Sequence, residues 1–190
     1  MNLTASLALS FLLAASFGAR VFGADHPHAG GDSPSQFKVG EFAFKRPAAW
    51  QITPPASAMR AAQLKITDAK KNQSAEVVFF HFGPGDGGDK QANVDRWLGQ
   101  FKEPKDKINS KVEDVTVSGR KVTYVQAEGT YSAGMMGHPT AAIPNAMLLG
   151  AIIESKDGNV FIKLTGPAAL VKASKDEFTK MTESAVKEQK

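Results

Sequence analysis

Residues 75–82 read Ala-Glu-Val-Val-Phe-Phe-His-Phe. Successive side chains of a strand point to opposite faces, so Val77, Phe79 and His81 would share one face and Val78, Phe80 and Phe82 the other. Both faces are apolar, and a strand that leaves one face in water is not built that way. The sheet containing this strand must therefore be covered above and below, and helices are the covers this chain can supply. One follows at once. Beyond the glycine-rich turn at 83–88, Val94, Trp97, Leu98 and Phe101 recur at i, i+3, i+4 and i+7. That spacing is an apolar helical stripe, with Asp95, Arg96 and Gln100 facing outward.

The remaining segments supply the sheet and a second cover. Phe42 and Phe44 share one face of an extended segment stopped by Pro47, with Trp50 as a core anchor. Residues 59–67 alternate Leu64 and Ile66 against Gln63 and Lys65 and predict a strand, in competition with a short helix over 58–62; residues 69–74 then form a polar hairpin loop. Residues 111–131 predict two strands joined at Ser118-Gly119. A loop over 132–144 has no periodicity, and its length suggests a binding or mobile role. Two more strands, 146–155 and 160–166, are joined through Asp157-Gly158 in what the pair predicts to be a tight turn. Leu170, Phe178, Met181 and Ala185 then mark a last helix, with Ser174 as its N-cap.

A chain of 190 residues can close one core. The first 23 read as a signal peptide, because the apolar run 3–17 is too short to cross a bilayer and ends in small residues. Cleavage after Gly23 is expected, with Gly18 and Ala24 as alternatives. Residues 24–36 are rich in Gly, Pro, Ser and His and form a flexible lead-in, leaving 37–190 as the single domain. No second apolar run reaches transmembrane length and there is no cysteine, so neither a stable membrane anchor after cleavage, nor a lipid-attachment thiol, nor a disulfide framework is expected. The expected location is the periplasm or the medium. The net charge of +4 comes from lysines scattered among acids, without the basic and aromatic interleaving that nucleic acid would require.

Several motifs together resemble the PsbP-like superfamily. They are Phe-x-Phe-x-x-Pro-x-x-Trp (Phe42, Phe44, Pro47, Trp50), the run VVFFHFGPGDGG with NVDRW, and the later GTY, MLLGAI and KLTGP, spread over 37–186. That superfamily includes the extrinsic subunit of photosystem II, the Ran-binding Mog protein and many exported bacterial proteins. The resemblance implies an α+β fold in which a mostly antiparallel sheet is sandwiched between helices, α/β/α. It also implies action by binding a partner. It brings no catalytic residues, and the chain carries neither a chloroplast nor a Ran-binding hallmark.

Candidate chemistry is sparse. The turn 83–88 matches G-x-G-x-x-G between a strand and a helix, as a dinucleotide site would. The neighbouring strands read as hairpins rather than βαβ units, however, and Asp86 would sit where a pyrophosphate lies. The glycines are better read as a turn requiring left-handed backbone angles, with Asp89 capping the helix. His81, Gly85, Asp86 and Asp89 form one candidate contact rim together with Met135, Met136 and His138 of the long loop. The spacing of His81, Asp86 and Asp89 fits no standard metal site. Cleavage after Gly23 would expose Ala24, Asp25 and His26, an amine, two amides and an imidazole in the order that encloses Cu(II) or Ni(II), and the soft donors of the Met/His loop suit Cu(I). No nucleophile elbow or paired carboxylates support an enzyme. The expected role is an exported, non-catalytic binding or accessory protein with no cofactor, acting on a protein partner or small ligand. A copper- or nickel-binding protein, and a small-ligand binder or enzyme, are the alternatives.

Overall fold

The doubly apolar segment becomes the third strand of a seven-stranded sheet. The computed structural model describes residues 35–132 and 141–187, which belong to one compact unit. In chain order the strands are β1 (Gln36–Val39), β2 (Phe42–Lys45), β3 (Gln51–Ile52), β4 (Ala62–Asp68), β5 (Gln73–His81), β6 (Lys111–Val117), β7 (Arg120–Tyr131), β8 (Ile143–Ile153) and β9 (Val160–Pro167). Helix α1 (Lys90–Leu98) follows β5, and α2 (Ala168–Ala173) and α3 (Lys175–Lys187) follow β9. The large sheet runs β3-β4-β5-β9-β8-β7-β6 with every neighbouring pair antiparallel, and β1 and β2 form a separate hairpin.

The period of two sorts the sheet's side chains into two cores. On the first face Leu64, Val77, Phe79, Leu149, Ile162 and Leu164 pack under Phe42, Phe44 and Trp50, and under Val171, Phe178 and Met181 of α2 and α3. Trp50 is 1% exposed, so the anchor role expected of it is borne out. On the second face Val125, Leu148, Ile152 and Phe161 meet Val94, Trp97, Leu98 and Phe101, with Ile108 closing the edge. The α/β/α sandwich required by residues 75–82 is therefore present, with hydrophobic burial of roughly 1.5–3 kcal/mol per large side chain behind each layer. Gly150 of β8 lies beneath the Trp97 indole. A methyl group there would be 2.7 Å from Trp97 Cε3, closer than carbon atoms pack.

One local detail follows the sequence expectation and three depart from it. Residues 62–68 form the expected strand, with Leu64 and Ile66 buried and Lys65 exposed, and the competing helix over 58–62 does not form. The β8–β9 connection is a six-residue loop rather than a tight turn, since Ile153 already pairs with Val160. Gly158 there has φ +108° and rests on the backbone of Gly83, 2.5 Å from where a β-carbon would stand. Ser174 does not cap α3: its hydroxyl donates back to the carbonyl of Leu170 at 2.9 Å and so finishes α2. Helix α1 stops at Leu98, so Phe101 reaches the core through a bridge to Tyr131 rather than along the helical stripe.

Candidate functional site

His81 ends β5. Its Nε2–H donates to the carbonyl of Asp157 at 3.1 Å, and its ring fills the space over Gly40, where a β-carbon would lie 2.8 Å from Nε2. The turn that follows has Gly83, Gly85, Gly87 and Gly88 at φ +92°, +78°, +84° and +80°, so the left-handed angles expected of these glycines are what the turn uses. Asp89 accepts from the Ala92 amide at 2.7 Å and caps α1 as expected. Gly85 faces open space and Asp86 is exposed. No group of three metal-ligating side chains gathers among the described residues. Ala24, Asp25 and His26, like Met135, Met136 and His138, lie outside the described residues.

A different place on the molecule carries a built concavity. On the second face helix α1 packs mainly over β7, β8 and part of β9, and beside it lies a floor on β4, β5 and β9. Two cross-strand rows make this floor: Gln63, Val78 and Lys163, and beside it Lys65, Glu76 and Thr165. Arg60, Thr53, Phe80, Tyr131 and Ile143 complete a cavity of about 480 Å³. None of His81, Gly85, Asp86 and Asp89 lines it.

Lys163 sits where the cavity meets the helical layer. Its ammonium donates to Gln100 Oε1 at 3.0 Å, the same oxygen that accepts from the Tyr131 hydroxyl at 3.1 Å, and it lies 5.8 Å from the centre of the Tyr131 ring. Its partner is thus a neutral amide. Arg60 holds Glu76 at 3.0 Å and also donates to Gln63 Oε1 at 2.6 Å, so the acid of the floor is already engaged. The Thr53 hydroxyl is buried with no hydrogen-bond partner among the described residues.

These surroundings move the acid–base equilibria in one direction each. Burial, seconded by the positive charges of Arg60 and Arg96, pushes the Lys163 ammonium down to about 8, with Glu76 only partly opposing. Burial likewise raises the Tyr131 phenol well above its ordinary value, so it remains a neutral donor. A lysine with depressed basicity, facing a cavity whose lining carboxylate, Glu76, is paired with Arg60, is a binding feature before it is a stabilising one.

Neither a family model nor a curated protein matches this chain. Solved structures do. The solution structure of cyanobacterial PsbP (CyanoP) from Synechocystis sp. PCC 6803 is 11% identical and superposes over 82% of this chain and 94% of that one, with a TM-score of 0.50. The fold is that of PsbP. Weaker likenesses are a Pseudomonas aeruginosa protein of unknown function (14% identity, 78% and 93% of the two chains, TM-score 0.37) and LpqN, involved in cell envelope biogenesis of Mycobacterium tuberculosis (15%, 81% and 83%, TM-score 0.42).

On this PsbP-like sheet the cavity was not found by sequence reasoning, although a signal was there. Lys163 interrupts the run Val-Phe-Ile-Lys-Leu, and a charge inside an otherwise buried central strand needs an explanation. Gln100, expected to face outward, is instead turned inward to bond Lys163 and Tyr131, because the chain leaves its helical path at Gly99.

Proposed function

We propose that this chain is an exported, envelope-associated binding protein that holds its ligand in the Lys163 cavity without transforming it. One observation carries the reading: a partly buried ammonium is hydrogen-bonded to an amide at the edge of a 480 Å³ cavity rather than neutralised by an acid. A charge kept in such a place costs stability, and proteins retain costly polar groups chiefly where they are used.

The lining set favours holding over turnover. It offers ammonium, guanidinium, hydroxyl and amide groups and the Glu76 carboxylate already paired with Arg60, with no histidine or cysteine among the residues that line the cavity. Below about pH 8 Lys163 is mostly charged, and a charged amine is a poor nucleophile. The PsbP fold is compatible with this role, as is the leader-like N-terminus, and among the described residues no helix is long and apolar enough to cross a membrane.

The test is thermal unfolding of the wild type and of Lys163→Met against a panel of small carboxylates, amino acids, sugars, nucleotides and amines. Ligands that bind only the native state raise its melting temperature. The expected result is at least one compound class that stabilises the wild type by several degrees and leaves Lys163→Met unmoved. A panel in which no compound separates the two proteins would refute the role. Mass spectrometry of protein recovered from the envelope fraction tests export separately, with Ala24 as the expected first residue.

A further inference from the structure

We infer that the cavity takes a free organic anion with a carboxylate head and an apolar body, seated with its head on Lys163. The inference rests on the binding role proposed above and adds the chemistry of the ligand. Charge is the first argument. The charged residues lining the cavity are Arg60, Lys65, Lys163 and Glu76, and Glu76 is consumed by its ion pair with Arg60. The remaining field is positive and selects against amines and cations.

Donor supply is the second argument. An ammonium has three N–H donors, and Lys163 gives one to Gln100 Oε1. The Thr53 hydroxyl on the cavity wall has no partner among the described residues. These are unused donors, and an ionised carboxylate is an acceptor only. Shape is the third argument. The half-buried Phe80 and Ile143, which is 40% exposed, form an apolar strip on the cavity wall. Inorganic phosphate would satisfy the charge and leave that strip wet, whereas a chain of several carbons covers both. The volume is within the range of small-molecule sites.

The site also dictates a proton signature. The groups acting on Lys163 are Arg60 and Arg96, which oppose its charge, and Glu76, which supports it; Tyr131 remains protonated. A bound carboxylate adds a favourable charge, so above about pH 8, where the free amine is largely neutral, binding must take up a proton. At about pH 7 the ammonium is already formed and uptake falls.

The experiment is calorimetric titration of the purified full chain with sodium octanoate, with octan-1-ol and inorganic phosphate as controls. Each titration is run at about pH 7 and about pH 9 in buffers of different ionisation enthalpy. Octanoate is expected to bind one site, at least tenfold more tightly than octanol, with phosphate undetected and proton uptake at the higher pH. Lys163→Met should lower octanoate affinity at least tenfold. Thr53→Val, which keeps the side-chain shape, should weaken it severalfold without lowering the melting temperature. Equal binding of octanoate and octanol, or unchanged affinity in Lys163→Met, overturns the inference. If octanoate does not bind but another class of the thermal panel does so through Lys163, the carboxylate assignment falls and the binding role stands; if nothing binds, both fall.

Discussion

Replacing Lys163 by methionine should make the protein more stable at neutral pH and remove part of its pH dependence. The folded chain holds this ammonium at about 8, whereas an unfolded lysine titrates near its ordinary value of 10.5. Between those values the unfolded chain binds more protons, so stability must rise with pH. The full gap corresponds to about 3 kcal/mol of destabilisation at low pH, and titrating both states from about pH 7 to about pH 9.5 recovers about 2 kcal/mol of it. The window stops there for a reason. Tyr124 and Tyr131 are both held above the ordinary phenol value by burial, and their unfolded forms begin to ionise near pH 10, which erodes stability. Lys90, raised mainly by its hydrogen bond to Asp114, likewise loses its contribution only at higher pH. Urea unfolding followed by the fluorescence of the buried Trp50 and Trp97 reads the difference directly. The wild type should gain about 2 kcal/mol across the window and Lys163→Met should stay flat. At about pH 7 the variant should exceed the wild type by about 1–2 kcal/mol, the recovered desolvation less the lost charged hydrogen bond. A wild type whose stability does not rise, or a variant that rises equally, would refute the reasoning.

Other perturbations follow from the same geometry. Gly150→Ala should cost about 1–3 kcal/mol by overpacking against the indole. Trp97→Ala should cost about 3–5 kcal/mol, and denaturant unfolding of the double variant should show Gly150→Ala to be nearly harmless once the ring is gone. Asp89→Ala removes the carboxylate that accepts from Ala92, and should lower stability by about 1 kcal/mol, with faster amide exchange in the first turn of α1 as the local readout. Gly158→Ala combines a φ of +108° with a β-carbon 2.5 Å from the Gly83 backbone. Its melting temperature should fall by more than that of Gly85→Ala, whose site faces open space although its φ is also positive.

What the sequence made legible is what short-range periodicity encodes. The alternation at 75–82 required cover on both faces, and the Val94, Trp97 and Leu98 spacing identified one cover, because each pattern is written within a dozen consecutive residues. Asp89 and the glycine turn were readable for the same reason. The cavity was not, because Thr53, Arg60, Glu76, Gln100, Tyr131 and Lys163 are brought together by the β4–β5–β9 register and by the end of α1. Extending the helical stripe past Gly99 turned Gln100 the wrong way, since the stripe gives no notice of where the helix stops. Ser174 shows a similar limit: a serine before two acidic residues suits an N-cap, yet its hydroxyl was satisfied by the turn behind it.

The strand order also sets a timetable. The middle of the sheet is closed by β5 pairing with β9, segments separated by almost half the chain, while β6, β7 and β8 lie between them in sequence. Contacts of such long range carry a loop-closure cost that the sequential hairpins β6–β7, β7–β8 and β8–β9 do not, so the β5–β9 pairing is expected to form last. Until residues 160–167 arrive, β5 has an unpaired edge with Val78 and Phe80 open on one face, the kind of edge that recruits other strands. A chain shortened before β9 therefore loses more than a strand: it loses the link that joins β3-β4-β5 to β8-β7-β6, and the edge of its β5 is left open to other strands.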